Sequence, residues 1–246
     1  MLKGKTAFIT GTNRGLGKAF VEMFAKNGAD VVAHARMDSA EFRVSCSELA
    51  EKCSVTVMPV FFDLTDSAAM KTAVRELIAG KMPINVLVNS AGIAHGGLFQ
   101  MTAMAKVREV FDVNLFAQME LTQLLLRYMM KGGGGSIVNI ASISGLDLQV
   151  GNCAYGVSKA AVIAFTRTLA AECGTTGLRV NAICPGLAAT DMGTQMEEKA
   201  GREMIARSAM NRLARPEEIA RVAVFLASDE ASFVNGQILS VDGGRA

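Results

Sequence analysis

Tyr155 and Lys159 stand four residues apart in the stretch YGVSK, separated only by small or aliphatic residues. On a helix that spacing places both side chains on one face, one turn apart, where they can address the same ligand. Neither group is a useful acid or base near neutrality on its own, because their free pKa values lie at ~10 or above. A neighbouring ammonium favours phenolate over phenol and brings the hydroxyl toward the range in which proton transfer is efficient. A fall of two or three units asks ~3–4 kcal/mol, which close cationic groups in a partly dry site can supply. Ser142, thirteen residues upstream of the tyrosine, adds a hydroxyl at the end of the run SIVNIAS.

A second chemical signal lies near the front of the chain. TGTNRGLG, from Thr10 to Gly17, follows the β-type run KTAFIT and opens a helical pattern, with glycines at 11, 15 and 17. This GxxxGxG spacing differs from the GxGxxG fingerprint, but the physics is shared. Glycines permit a tight turn and let the backbone approach a pyrophosphate, which rests at the positive end of the helix. A plain strand-to-helix turn is the other reading of the same residues. An NAD-preferring site usually has a carboxylate at the end of the second strand. Here that position reads AHAR, with Ala35 in place of the acid and Arg36 after it, and Arg14 sits inside the glycine loop. Guanidinium groups match a 2′-phosphate through charge-assisted hydrogen bonds, which puts NADP(H) ahead of NAD(H).

The elements that must position these groups alternate along the chain. Residues 5–10, 30–35, 54–62, 84–89, 136–142, 178–184 and 237–243 read as strands. Between them lie segments with apolar residues at three- and four-residue spacing, such as KAFVEMFAKNGA and EIARVAVFLAS. Strands alternating with helices imply right-handed crossovers and a parallel sheet covered on both faces. Pro216 followed by two glutamates marks a helix start. Nothing divides the 246 residues, so one α/β domain is expected over 1–246.

Composition excludes other classes. The net charge is +2 with scattered basic residues, which gives no stripe for nucleic acid or lipid. Half the residues are hydrophobic, yet no apolar run approaches the ~18 needed to span a membrane. The segment before the glycine loop is too short for a signal-peptide core. Five cysteines without a CxxC pair, and only His34 and His95 as histidines, give no metal site and suggest a reduced, cytoplasmic protein.

Taken together, TGTNRGLG, NSAG (89–92), Asn114, Ser142, YGVSK and PGLAATDM (185–192) resemble, in order and spacing, the short-chain dehydrogenase/reductases. The likeness runs through the terminal LASDEASFVNGQILSVDGG and is greatest to the bacterial 3-oxoacyl-acyl-carrier-protein reductases. It implies a Rossmann-like doubly wound parallel sheet of about seven strands with helices on both faces. It implies a catalytic set of Tyr155 as acid/base, Lys159 as its helper and a ribose ligand, Ser142 orienting the carbonyl, and Asn114. It implies cofactor contacts from Gly11, Asn13, Arg14, Gly15, Leu16, Gly17, Arg36, Asp63, Leu64, Asn89, Ala91, Gly92, Tyr155, Lys159, Pro185, Gly186 and Thr190. Asp63 resembles the acid that contacts adenine, Asn89 lies where the cofactor ribose is approached, and Thr190 resembles the residue bonding the nicotinamide carboxamide. Ser90 departs from the family's usual second asparagine.

The implied reaction is NADPH-dependent reduction of a ketone, a 3-oxoacyl thioester first, either small or borne by a carrier protein. An oxidised nicotinamide would add a further positive charge beside Tyr155. Lys131 and Arg179 are the only basic residues in KGGGGS and CGTTGLR, a thin patch for an acidic carrier protein. That leaves a sugar, steroid or secondary-metabolite ketone open, and a cofactor-binding regulator without chemistry as a third reading. A lid is expected near 187–212, where methionines 192, 196, 204 and 210 fall. Apolar outer positions on the helices carrying Asn114 and Tyr155 suggest helix-mediated pairing, and the resemblance implies a homotetramer. Cys153 reads as a wall residue, and His95 has no assigned role.

Overall fold

The computed structural model describes residues 1–147, 149–190 and 205–245. Seven parallel strands form one sheet: β1 (Thr6–Ile9), β2 (Asp30–Ala35), β3 (Val57–Phe61), β4 (Val86–Asn89), β5 (Gly135–Ile140), β6 (Leu178–Pro185) and β7 (Ile238–Val241). Each overlaps a run that the sequence marks as a strand. Their spatial order is β3-β2-β1-β4-β5-β6-β7. The connecting helices are α1 (Gly15–Lys26), α2 (Ala40–Cys53), α3 (Ser67–Ala79), α4 (Met104–Phe111), α5 (Ala117–Lys131), α6 (Cys153–Cys173) and α7 (Pro216–Ala227).

Side chains alternate across the sheet, and both faces are covered. Ala7, Ile9, Val31 and Val88 pack with Phe20 and Phe24 of α1 and with Ile219 and Ala223 of α7. Phe8, Val32, Leu87 and Ile137 point the other way, onto Met70 of α3, Leu121 and Leu125 of α5, and Leu169 of α6. This two-sided burial is why the strands read as unbroken apolar runs instead of alternating ones. Phe8, Phe20 and Phe24 are fully buried, and each stabilises the fold by roughly 1.5–3 kcal/mol. Helix starts are specified locally. Asp66 accepts from the N–H groups of Ala68 and Ala69, both at 3.0 Å, ahead of α3. At α7 the Glu218 carboxylate accepts from the Arg215 N–H at 2.8 Å, beside Pro216 in the first turn.

The strand order reverses between β1 and β4, which opens a crevice at their C-terminal ends. The loops meet closely there. The Thr10 hydroxyl accepts from the N–H groups of Ser90 (2.9 Å) and Ala91 (3.0 Å). A Cβ on Gly11 would stand 2.9 Å from the Ala91 Cα, so only glycine allows this approach.

Further along the same edge, the short turn Ile143–Gly145 lies directly on α6. A Cβ on Gly145 would fall 2.7 Å from the Lys159 carbonyl carbon and 2.8 Å from the Ala160 nitrogen, both backbone atoms that cannot give way. Gly145→Ala is therefore expected to cost about 1–3 kcal/mol, as overpacking does, seen as a lower melting temperature. Gly96→Ala, where a Cβ meets nothing within 4 Å, serves as the control and should melt like the parent. Equal melting of both variants would show that the turn does not rest on the helix as described.

Candidate active site

α6 starts beside the turn after β5 and presents Tyr155 and Lys159 to the ends of β5 and β6. Lys159 is 3% exposed, and its ammonium donates to the Ile140 carbonyl at 2.7 Å. Its Nζ stands 5.9 Å from the centre of the Tyr155 ring. Ser142, also buried, follows Ile140 by two residues, and its Oγ accepts from the Ser144 N–H at 3.1 Å. The same hydroxyl acts on the Tyr155 phenol and pulls its pKa downward. Cys184, at the end of β6, lies near this group, and burial pushes its thiol up to about 11. The structure thus brings Ser142, Tyr155 and Lys159 together.

The electrostatics differ in one respect from the expectation of a depressed phenol. Burial outweighs the effect of Ser142, and the Tyr155 pKa lies above its ordinary value. Burial likewise lowers Lys159 to about 8. A buried lysine that is itself reluctant to carry charge cannot by proximity alone turn the phenol into phenolate. In the free protein Tyr155 is a protonated acid.

Asn114 sits in a π-helical turn, Asp112–Phe116, that joins α4 to α5. Its amide clips three elements together. Oδ1 accepts from the Ile93 N–H at 2.8 Å, and Nδ2 donates to the Ile93 carbonyl (3.0 Å) and to Ser158 Oγ on α6 (3.1 Å). A Cβ on Gly92 would come 3.1 Å from Asn114 Oδ1 and 3.4 Å from Lys159 Nζ. The loop after β4 therefore runs past both groups, and glycine leaves room above them.

The glycine loop is built for close approach. A Cβ on Gly17 would collide with the Gly11 carbonyl, while one on Gly15, at φ +57°, would stand 3.7 Å from the Thr190 side chain. Thr190 follows Pro185 and Gly186, and the Gly186 N–H is held by the Val241 carbonyl at 2.9 Å. Asn13 and Arg14 are exposed at the loop, and Leu16 packs on the core under α1. At the far end Arg36 is exposed beyond buried Ala35. It lies close enough to Asp63 to help hold that carboxylate below its usual range, after the larger effect of hydrogen bonds from the Thr65 N–H (2.8 Å) and hydroxyl (2.7 Å). These residues fit a dinucleotide: glycines that admit a pyrophosphate at a helix start, and a guanidinium with no carboxylate at the end of β2.

Two expected cofactor contacts lie deeper. Leu64 is buried in the core against α3 and α5. Asn89 is fully buried, donating through Nδ2 to Thr122 Oγ1 (3.0 Å) and Asn139 Oδ1 (2.8 Å), so its side chain braces β4 to β5 and α5. Most of the expected lid, with Met192, Met196 and Met204, lies outside the described residues. Met210 is within them, on a segment paired to Gly243 and Gly244 near the C-terminus. His95 contacts Thr102 at 3.3 Å, and Cys153 is exposed at the first residue of α6. Among the described residues, no group of three or more His, Cys, Asp or Glu could hold a metal ion. Residue-by-residue reading missed Cys184, Gly145, Ser158 and His34. A glycine three residues after Ser142, and a histidine within an apolar strand, were the available signals.

Comparison with known proteins agrees with this geometry. Residues 11–246 match the family model described as enoyl-(acyl carrier protein) reductase. The 3-oxoacyl-acyl-carrier-protein reductase of Thermotoga maritima is 39% identical over 243 residues, 99% of this chain and 98% of that one. The 3α-hydroxysteroid dehydrogenase of Mediterraneibacter gnavus is 36% identical over 246 residues, covering 99% and 97%. The crystal structure of L-sorbose reductase from Gluconobacter frateurii, complexed with NADPH and L-sorbose, superposes with a TM-score of 0.90 at 31% identity, covering 99% and 97%.

The Lys159 burial has a measurable sign. Its folded pKa of about 8 lies below the ordinary 10.5, so between those values the unfolded chain binds more protons and stability rises with pH. Below pH 8 the buried ammonium opposes folding. The stability difference, Lys159→Met minus parent, should be most positive at pH 7 and fall by roughly 3 kcal/mol by pH 11. Urea denaturation across that range reads it directly. A difference flat with pH would mean that the lysine is not held as a buried cation.

Proposed function

The chain belongs to the short-chain dehydrogenase/reductase family, oxidoreductases acting on CH–OH and C=O groups, and we propose that it reduces a ketone with NADPH, a 3-oxoacyl thioester being its substrate. The observation that carries the reading is Tyr155 beside Ser142 and one helical turn from the buried Lys159, whose ammonium lies 5.9 Å from the phenol ring. NADPH, when bound along the glycine loop, supplies hydride to the carbonyl carbon. Tyr155 donates its proton to the carbonyl oxygen as negative charge develops there, and Ser142 donates a hydrogen bond to the same atom. Hydride and proton together convert C=O to CH–OH. Lys159 offsets the phenolate left behind. Water near Asn114 and Lys159 then returns a proton to the phenol from solvent.

Arg36, with Arg14 nearby, would hold the 2′-phosphate, and Asp63 would meet the adenine. Exposed Met104, Phe116 and Met119 on the α4–α5 side and Val157 on α6 support helix-mediated assembly into a homotetramer. Five unpaired cysteines suit a reducing, cytoplasmic setting, and among the described residues no helix is long and apolar enough to cross a membrane.

One observation favours a second substrate class. The Arg179 guanidinium donates to the Ser228 carbonyl at 3.0 Å and to the Val234 carbonyl at 3.4 Å. Of the two basic residues considered for carrier-protein docking, only Lys131 is therefore exposed. A small ketone of the sugar or steroid kind, as the names of the sorbose reductase and the hydroxysteroid dehydrogenase suggest, needs no such patch. Initial rates with acetoacetyl-coenzyme A against a panel of sugar and steroid ketones decide between them. The thioester should turn over fastest, and Tyr155→Phe should lose at least about 10²-fold in kcat. Turnover of a sugar ketone with none of the thioester would replace the substrate assignment. NADPH binding without turnover of any ketone would indicate a cofactor-binding regulator.

The cofactor assignment has its own check. Arg36→Leu should lower kcat/KM for NADPH by about 10–100-fold, the loss of a charged hydrogen bond, and leave NADH within about twofold. Equal loss with both cofactors would remove the 2′-phosphate role.

A further inference from the structure

β2 ends in the apolar run Val31–Ala35, whose single polar member is His34, 2% exposed. A buried imidazole needs partners for both ring nitrogens, since an unpaired one forfeits its hydration. His34 has both. Nδ1 accepts the Gly11 N–H at 3.3 Å, and Nε2 donates to the Phe62 carbonyl at 2.9 Å. The N–H donor at Gly11 fixes Nδ1 as the bare nitrogen, which leaves the proton on Nε2. Burial lowers the group to about pH 4, so this neutral tautomer persists at working pH. The His34 backbone carbonyl adds two contacts to the same loop, accepting from the Thr12 N–H (2.9 Å) and hydroxyl (3.0 Å). The ring also lies against Phe62, with centroids 4.2 Å apart.

The placement of these contacts carries a functional consequence. Gly11 is the first glycine of the phosphate-binding loop, whose approach to Ala91 tolerates no side chain. Phe62 immediately precedes Asp63, and Arg36 lies two residues beyond His34. One side chain therefore spans the crevice end of the sheet between the two parts that would receive opposite ends of an adenosine diphosphate unit.

Resting on the dinucleotide reading above, we propose that His34 is a positioning residue for the cofactor: its neutral imidazole pins Gly11 to Phe62 and so fixes the spacing between the pyrophosphate loop and the adenine-end residue Asp63. It touches no ligand itself. Its effect falls on cofactor affinity, equally for NADPH and NADH, because the pinned loop serves the part common to both.

Three variants separate this role from bulk packing. Asparagine can place Oδ1 near the position of Nδ1 and still accept from Gly11. Glutamine reaches toward Phe62 instead, and leucine does neither. Dissociation constants for NADPH and NADH are measured by fluorescence titration, with melting temperature alongside and kcat and KM taken with the thioester. His34→Leu and His34→Gln should each weaken both cofactors about tenfold, which is ~1.4 kcal/mol. His34→Asn should stay within about threefold of the parent. The loss should appear in the KM for cofactor more than in kcat at saturation. If the leucine variant does not fold, the asparagine and glutamine pair still decides. Asparagine binding as weakly as glutamine, or glutamine binding like the parent, overturns the proposal while the cofactor reading stands. A parent protein that binds neither cofactor overturns both.

Discussion

A cation sealed inside an uncharged wall is the constraint on which the rest of this structure depends. Lys159 is buried on α6 with a backbone carbonyl as its hydrogen-bond partner, and among the described residues no carboxylate contributes to its electrostatics. Such a group works against folding, so its position has to be over-determined by its surroundings. The two faces of the sheet provide that. α6 is fixed against β5 and β6, the turn through Gly145 lies on the Lys159 backbone, and Asn114 and Ser158 tie the helix to the loop after β4. The stability contributed by Phe8, Phe20, Phe24 and their neighbours offsets a site that stabilises nothing by itself.

The parallel topology explains why the chemistry collects at one edge. Every strand of a parallel sheet ends on the same side, so the loops after β1, β4, β5 and β6 converge without any long connection. The strand order reverses next to β1, and that is where Gly11 and Ala91 touch. The glycine loop and α6 are nearly 140 residues apart in sequence by their numbering. Their spacing is set through the register of β1 on β4 and β4 on β5, in which Asn89 faces Asn139. The buried ladder Thr122–Asn89–Asn139–Thr166 gives that register a polar lock that apolar packing alone does not provide.

The strands were legible because burial on both faces leaves an apolar run that glycines, prolines and polar residues interrupt only at the ends. The grouping of Tyr155, Lys159 and Ser142 was legible because their types and spacing stand in the sequence itself. Asn89 was expected at the cofactor ribose, and its Nδ2 bonds to Thr122 and Asn139 were not legible because a sequence shows that an amide stands at a strand end and not which way it turns. His34 offered only its place within an apolar strand, and Cys184 no local pattern. The partners of His34 lie in segments distant in sequence, so its hydrogen bonds could not be read before the sheet was assembled. The direction of the Tyr155 shift was missed for a related reason. A lysine four residues away is visible in the sequence, but the desolvation that overrides it depends on the depth of the pocket.

That reversed shift has a consistent place in the chemistry. Reduction requires the phenol to begin with its proton, and the reduced nicotinamide ring is uncharged, so a site that lowered the Tyr155 pKa in advance would discard the acid it needs. Burial keeps the proton on. Demand for charge stabilisation arises only as the carbonyl oxygen takes the proton and phenolate forms, and the ammonium of Lys159, about one unit of pKa above neutrality, is then present to meet it. In the opposite direction the positive ring of an oxidised nicotinamide would join the same ammonium and favour phenolate as the base. On the proposed reaction, the acid or base form of one tyrosine would follow the redox state of its neighbour, and the buried lysine is the part that must be held in place for either direction to work.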